Sequence, residues 1–354
     1  MLFKSISKTV KTGIALTIVF ILIVGFMLSS DNATNGWTSD DLAEGEFIFF
    51  VLGDTSYKAP DDYPAYRGLI HSINRAKPAF TIHVGDTKPG HGTCKMVWQL
   101  EVWSFFNLFE GPLIYTPGDN DWTDCGRSRT REDPIASLGY IREVFYPDTH
   151  SLGNNPLKLT RQPDIQMHSQ TVENSAWRYE GVQFGTIHLV GVNNNLRPHN
   201  AAAMAEYQVR NPANLSWIEH LFDRARASDT RALVIAFHAE ILRRNPLGTG
   251  FEDTVLALKR EALNFNKPIL IVHGDTHSYV VDYLFENEKK WQIPDGRFNH
   301  VKRVETFGPP YQKAVQVTVT PMSAGVDEVF KIRPYDPPWG GCTFIYLCAF
   351  LGLE

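Results

Sequence analysis

Five short segments of this 354-residue chain place carboxylates, a carboxamide and imidazoles directly after runs of β-branched and aromatic residues. They are "VLGDTSY" with Asp54, "VGDTKPGHG" with Asp86, "YTPGDNDW" with Asp119 and Asn120, "FHAE" with His238, and "VHGDTH" with Asp275 and His277. A single Gly-Asp after a strand is ordinary turn chemistry. Three such junctions, a strand-end histidine and an Asp-Thr-His make a different pattern. Carboxylate oxygen mixed with imidazole nitrogen suits Mn, Fe, Zn or Mg, and two such ions about 3.5 to 4 Å apart hold a phosphoryl oxygen and generate hydroxide near neutral pH. These residues predict a centre of two divalent ions.

The elements that must position them read as a layered α/β domain, because short apolar runs alternate with longer amphipathic stretches. Strands are expected at 46–52, 79–84, 112–116, 182–192, 231–237 and 267–273, and helices at 62–76, 95–109, 133–145, 206–227 and 251–264. Segments 279–284, 301–307 and 314–320 read as later strands, meeting as antiparallel partners. Loops leaving the carboxyl ends of strands converge on one edge of an α/β sheet. The five segments, distant in sequence, are therefore expected in one neighbourhood. Trp98, Trp103 and Phe106 have helical spacing and read as core, while Tyr57 and Tyr279 read as wall beside the site. His83 and His188 read as core histidines with satisfied rings, and "NNN" at 193–195 as turn or cap chemistry.

Composition narrows the rest. A net charge of −5 and no long run of like charge argue against nucleic-acid binding. Lys4, Lys8 and Lys11 precede the uncharged "GIALTIVFILIVGFMLSS", so residues 1–30 read as a signal peptide or signal anchor, with a linker over 31–45. An extracytoplasmic domain, secreted or held to the membrane by an uncleaved leader, is expected. Export makes disulfides possible. Cys94 and Cys125 each follow a loop rich in Gly and Asp, and a bridge between them would pin those loops together. Cys342 and Cys348 have no metal-binding spacing and lie in a short apolar tail, 339–354. Asn32 in "NAT" and Asn214 in "NLS" match the glycosylation sequon.

In order, strand context and spacing, the five segments resemble the motifs of the calcineurin-like metallophosphoesterases, which include the purple acid phosphatases. The resemblance runs over residues 46 to 320. That family carries Asp-x-His, Gly-Asp, Gly-Asn-His-Asp/Glu, an isolated His, and Gly-His-x-His. This chain has "GDTS" at 53–56, "GD" at 85–86, "GDND" at 118–121, His238, and "GDTH" at 274–277, and is most similar to a bacterial-type branch with "PGDN-acidic-W" and "HGDTH". The resemblance implies a four-layer αββα sandwich, two mixed sheets flanked by helices, in a domain spanning 46–338. It also implies two divalent ions and a phosphate mono- or diester substrate attacked by metal-activated hydroxide. Carried over by position, Asp54 and His277 serve the first ion, Asp86 bridges, and Asp119, His238 and Asp275 serve the second. Asn120 in place of Asp119, and His273 in place of Asp275, remain open as ligands.

The departures matter chemically. Ser56 stands where many relatives have histidine, and Asn120 where they have the histidine that assists the leaving group. Four carboxylates nearly neutralise two divalent ions and favour harder metals, and Lys88, just past the bridging Asp, is placed to restore positive charge. Asn120 donates a hydrogen bond but is no general acid near pH 7. His91 and His273 are the candidate proton donors, and Asp121, Trp122 and Asp124 are expected to position the third loop. A relative that keeps the fold but has lost catalysis, acting as a binding or scaffold protein, is the alternative reading.

Overall fold

The computed structural model describes residues 38–337, apart from 128–130, 166, 167, 169, 228, 243–245, 286–297, 322 and 324. The expected leader, Asn32, residues 31–37 of the linker, Cys342, Cys348 and the 339–354 tail lie outside the described residues.

The chain opens with β1 (Phe47–Leu52), α1 (Tyr63–Arg75), β2 (Thr81–His83), α2 (Met96–Phe106), β3 (Leu113–Tyr115) and α3 (Pro134–Phe145). It continues through β4 (Thr160–Arg161), β5 (Ser175–Tyr179), β6 (Val182–Thr186), α4 (Ala201–Ala227), β7 (Ala232–Ala236), α5 (Glu252–Phe265) and β8 (Ile269–His273). Four further strands complete the order: β9 (Val280–Tyr283), β10 (Val301–Glu305), β11 (Ala314–Val319) and β12 (Phe330–Tyr335). They form a five-stranded sheet, β12-β11-β1-β2-β3, and a seven-stranded sheet, β4-β5-β6-β7-β8-β10-β9. Both are mixed. β1, β2 and β3 run parallel, as do β6, β7, β8 and β10, whereas β11 pairs antiparallel with both β1 and β12.

Alternation along each strand builds the layers. Phe47, Phe49 and Val51 of β1 pack against Phe184, Val234 and Val272 of the other sheet, filling the space between the sheets. Ile48, Phe50 and Leu52 face the other way, onto Leu69, Ile70 and Ile73 of α1 and Phe105 and Phe106 of α2. On the far side, Leu233, Ile235, Ile269 and Ile271 pack on Trp217, Leu221, Leu258 and Phe265 of α4 and α5. Each fully buried phenylalanine contributes about 2 to 3 kcal/mol of apolar burial. The result is the expected two-sheet sandwich flanked by helices, with the parallel strands ending at the edge that carries the five segments.

Several local expectations are corrected. The strand expected over 182–192 ends at Thr186, and residues beyond it leave the sheet. β4, β5 and β12 had no counterpart among the expected strands. Trp103 is 44% exposed, as are Val97 and Leu100 to a greater degree, because α2 is apolar around most of its circumference and only one side meets the sheet. Asn214, expected on the surface by its sequon, is fully buried in α4, donating from Nδ2 to the His188 carbonyl (2.8 Å) and accepting from Asn174 (2.9 Å).

Cys94 and Cys125 form a disulfide, with Cα atoms 5.8 Å apart and a sequence separation of 31 residues. It ties the loop after β2 to the loop after β3. Closing a loop of that length removes chain entropy from the unfolded state worth roughly 3 to 4 kcal/mol. We expect the Cys94→Ala/Cys125→Ala variant to lose about that much stability in denaturant unfolding; an unchanged midpoint would show that the bridge constrains nothing.

Candidate metal centre

The first, second and fifth segments end their strands in abrupt turns, and the backbone records it. Asp54 (φ 52°), Ser56 (63°), Asp86 (56°), Asp275 (83°) and His277 (64°) all lie in the left-handed region that non-glycine residues rarely occupy. Such strain persists only where surrounding contacts impose it, and it gathers at functional sites. Here it turns Asp54, Asp86, Asp275 and His277 off the strand ends toward a shared space between the two sheets.

Two overlapping groups of donors meet there: Asp54, Asp86 and His238 form one, and Asp119, His238 and Asp275 the other. His238 Nε2 stands 3.0 Å from Asp119 Oδ1 and 3.4 Å from Asp86 Oδ1, while its Nδ1 donates to the Val84 carbonyl (2.8 Å). His277 Nε2 stands 3.3 Å from Asp54 Oδ1. The Asp275 N–H donates to Asp54 Oδ2 (3.2 Å), which joins the first loop to the last. Asp54, Asp86, Asp119 and His238 are buried, and His277 is partly open.

Buried like charges perturb one another strongly. Burial pushes the Asp86 carboxyl well above the usual range, against the pull of His238, and Asp119 and Asp54 add to the rise. Asp275 is pushed up to about 6 by burial, opposed by His238 and reinforced by Asp119. Burial opposes protonation of His238, yet Asp86 and Asp119 beside it raise its pKa far above the ordinary imidazole value. His277 is raised chiefly by its hydrogen bond to Asp54. Hard oxygen donors with imidazole nitrogen, gathered without enough positive charge of their own, fit divalent cations.

Asp119 and Asn120 part company. The Asp119 carboxylate joins His238 and Asp275, whereas Asn120 Nδ2 donates to Tyr57 Oη (2.8 Å) and its backbone N–H to Asp86 Oδ1 (2.9 Å). Tyr57, expected as wall, is inside: its hydroxyl donates to Asp86 Oδ2 (2.9 Å) and lies 3.4 Å from Asp54 Oδ1. Burial and those two carboxylates hold it firmly as the neutral phenol. Ser56 turns away, donating to Asp62 Oδ1 (3.2 Å).

The remaining candidates sit elsewhere. Lys88 is buried and its ammonium donates to the Asn120 carbonyl, so it holds the third loop. Burial lowers its pKa, against the neighbouring Asp121 and Asp86. His91 is exposed on the loop whose Gly90 abuts the Asn120 amide. His273 does not join the centre; it is buried behind it, with Nδ1 on the Gly274 carbonyl (2.9 Å) and Nε2 toward Glu240 (3.8 Å). As placed, it is neither a ligand beside Asp119 nor a proton donor to a leaving group. His83 has a satisfied ring, accepting at Nδ1 from Gly85 N–H (3.2 Å) and meeting Thr55 Oγ1 at Nε2 (3.4 Å), and burial pushes its pKa down to about 4. His188 accepts from Trp122 Nε1 (3.1 Å). Tyr279 stacks on Phe307, with ring centroids 4.6 Å apart.

Two features support the ligands from outside. Asp121 accepts backbone N–H bonds from Asp86, Thr87 and Gly118 (2.8 Å each) and hydroxyl bonds from Thr87 (2.7 Å) and Tyr115 (2.9 Å). The second and third loops meet so closely that a Cβ on Gly118 would lie 2.1 Å from Asp86 Oδ1. The other feature is a left-handed turn over Val192, Asn193, Asn194 and Asn195, with φ between 48° and 61°. Gly191 opens it because a Cβ there would come within 2.8 Å of the Asp119 carboxylate. The "NNN" amides are spent on structure: Asn193 Oδ1 accepts from Gly250 N–H, Asn194 Nδ2 donates to Gly250 O, and Asn195 Nδ2 donates to Glu206. Arg210 then grips Asn194 through both Oδ1 (2.5 Å) and O (3.0 Å).

A calcineurin-like phosphoesterase family model matches residues 47–279, which contain every one of these ligands. The chain belongs to the calcineurin-like phosphoesterase family. Solved structures similar to this phosphoesterase include a dimetal phosphatase from Danio rerio, with a TM-score of 0.49 and 8% identity over 82% of this chain and 99% of that one. Another is the purple acid phosphatase PPD1 from yellow lupin (Lupinus luteus) seeds, at TM-score 0.45 and 10% identity, covering 77% of this chain and 49% of that one. A third is GAP50, the anchor in the inner membrane complex of Plasmodium, at TM-score 0.45 and 10% identity over 87% and 95% of the two chains. No curated protein sequence matches this phosphoesterase significantly.

Asp121 yields a pH prediction. Burial alone would raise its pKa, but the Gly118 and Thr87 hydrogen bonds and the Lys88 charge bring it below the ordinary value of 3.8. Its contribution to stability is therefore full above the unfolded value and is lost as pH falls through the lower folded value. We expect Asp121→Asn to cost about 3 kcal/mol near neutral pH. The difference from wild type should shrink in urea unfolding below about pH 4. A constant difference across that range would contradict the assignment.

Proposed function

We propose that this protein is a metal-dependent hydrolase of phosphate mono- or diesters, working at a dinuclear centre. The observation that carries the reading is the meeting of the Asp54–Asp86–His238 and Asp119–His238–Asp275 groups at the facing edges of two sheets. Asp54, Asp86 and His277 would hold one ion and Asp119, His238 and Asp275 the other, with Asp86 shared; their identity among Mn, Fe, Zn and Mg is left open by this donor set. When bound, such ions supply Lewis acidity toward the phosphoryl oxygens and a water acidic enough to attack near neutral pH.

The chain's own groups do the positioning. Tyr57 orients Asp86 through its hydroxyl and presents its oxygen to the Asn120 amide. Asn120, partly exposed, is placed to donate to an ester oxygen, which stabilises developing charge without transferring a proton. Esters with good leaving groups are the preferred substrates on this reading. The buried Lys88 and Asp121 keep the second and third loops in register. The Cys94–Cys125 bridge supports an oxidising, extracytoplasmic location, with anchoring by residues 1–30 part of the same proposal. No helix among the described residues is long and apolar enough to cross a membrane.

The second reading, a binding protein that has lost catalysis, draws on Ser56 turned toward Asp62 and on an amide at position 120. The full chain, loaded with manganese, separates them. We expect hydrolysis of p-nitrophenyl phosphate or bis(p-nitrophenyl) phosphate, abolished by a chelator and reduced on the order of 10³-fold in kcat/KM by Asp86→Ala. Manganese uptake with no hydrolysis of either ester would favour the binding protein, and activity indifferent to both treatments would refute the metal centre.

A further inference from the structure

Behind the centre lies a second group of donors, His273 with two carboxylates that no motif predicted, Glu240 and Glu305, each offering an atom within 4.8 Å of the others. Glu240 sits just past β7, His273 ends β8 and Glu305 ends β10, three strands of the seven-stranded sheet. His273 and Glu305 are buried, at 1% and 2% exposure, and the Glu240 side chain is 7% exposed.

The His273 ring shows what is missing. A carbonyl only accepts, so the Nδ1 atom, 2.9 Å from the Gly274 oxygen, carries the proton. Nε2 is then a bare lone pair, and it has no hydrogen-bond partner among the described residues. It points at the Glu240 carboxylate, with Oε2 3.8 Å away. A lone pair aimed at a carboxylate in a buried space, with a second carboxylate close by, is unfavourable unless something positive lies between them. Arg303 supplies one charge, donating to Glu240 Oε2 (2.6 Å), but it also forks onto Asp282. Three carboxylates, Glu240, Glu305 and Asp282, surround the one guanidinium of Arg303, and burial pushes the Glu305 carboxyl up to about 7.

We propose that Glu240, His273 and Glu305 form a cation site distinct from the catalytic pair, taking a divalent ion that accepts mixed nitrogen and oxygen donors, such as Mn²⁺ or Zn²⁺. Its position gives it a task. The Glu240 N–H donates to Asp275 Oδ2 (2.9 Å), and Glu305 Oε1 accepts from the backbone N–H groups of Thr276 (3.0 Å) and Ser278 (3.5 Å), on either side of His277. An ion joining Glu240 to Glu305 braces the loops that carry His238, Asp275 and His277. Groups that orient metal ligands in this way strongly affect affinity for the ion they serve.

Manganese alone is the probe. The full chain is stripped with chelator and equilibrated with Mn²⁺, and bound metal is counted by mass spectrometry in wild type, His273→Gln/Glu305→Gln, and Asp86→Ala/His238→Ala. We expect the His273→Gln/Glu305→Gln variant to hold one ion fewer than wild type, and the Asp86→Ala/His238→Ala variant to retain an ion that the added Glu305→Gln change removes. Equal metal content in wild type and His273→Gln/Glu305→Gln overturns this site and leaves the catalytic pair standing. Unchanged content in Asp86→Ala/His238→Ala counts against the pair and not against this site. Should the variants not fold, an anomalous-scattering map of manganese-soaked wild-type crystals decides: a peak among Glu240, His273 and Glu305 supports the site, and a water or no peak overturns it.

Discussion

The Asp121 carboxylate is a junction of two loops. By accepting N–H groups from Asp86, Thr87 and Gly118, and hydroxyls from Thr87 and Tyr115, it fills its acceptor capacity. Turns that end parallel strands leave backbone N–H groups with no ladder partner, and buried ones must be satisfied locally. One anion does this for both turns, and so fixes Asp86 and Asp119 relative to each other. Lys88 and the Cys94–Cys125 bridge hold the same two loops from other directions.

Around that junction, strain and charge support one another. Left-handed Asp54, Asp86 and Asp275 bring carboxylates closer than their charges favour, with His238, its pKa raised by Asp86 and Asp119, between them. Gly118 and Gly191 are the spaces into which Asp86 and Asp119 fit. The turn over Val192–Asn195 beside Asp119 is held by Arg210 and Gly250.

The strand ends were legible in the sequence because parallel strands obey a simple rule: the loops leaving their carboxyl ends gather at one edge. That rule singles out Asp54, Asp86, the adjacent Asp119 and Asn120, His238, Asp275 and His277. The choice between Asp119 and Asn120 was not legible, since adjacent residues in a turn point apart according to backbone angles that composition does not encode. Tyr57 escaped for the same reason: the left-handed Ser56 swings its ring inward. His273, Glu240 and Glu305 meet across three strands, and only the register of β8 with β10 puts Glu305 beside His273. β5 was hidden because "SAWRY" lacks clear alternation and becomes a strand through pairing with β6. The exposed Trp103 misled in the opposite sense, since helical spacing of apolar residues cannot tell which side meets the core.

Asp54, Asp86 and Asp119 hang from the five-stranded sheet, while His238, Asp275 and His277 hang from the seven-stranded one. On the proposed function, ions held by both groups would be cross-links between the halves of the sandwich as well as reagents. By mass action, a ligand present at a thousand times its dissociation constant adds about 4 kcal/mol to the folded state. Metal supply would then govern how long the chain survives proteolysis as well as how fast it turns over substrate, and starvation for the ion would remove the protein as well as silence it.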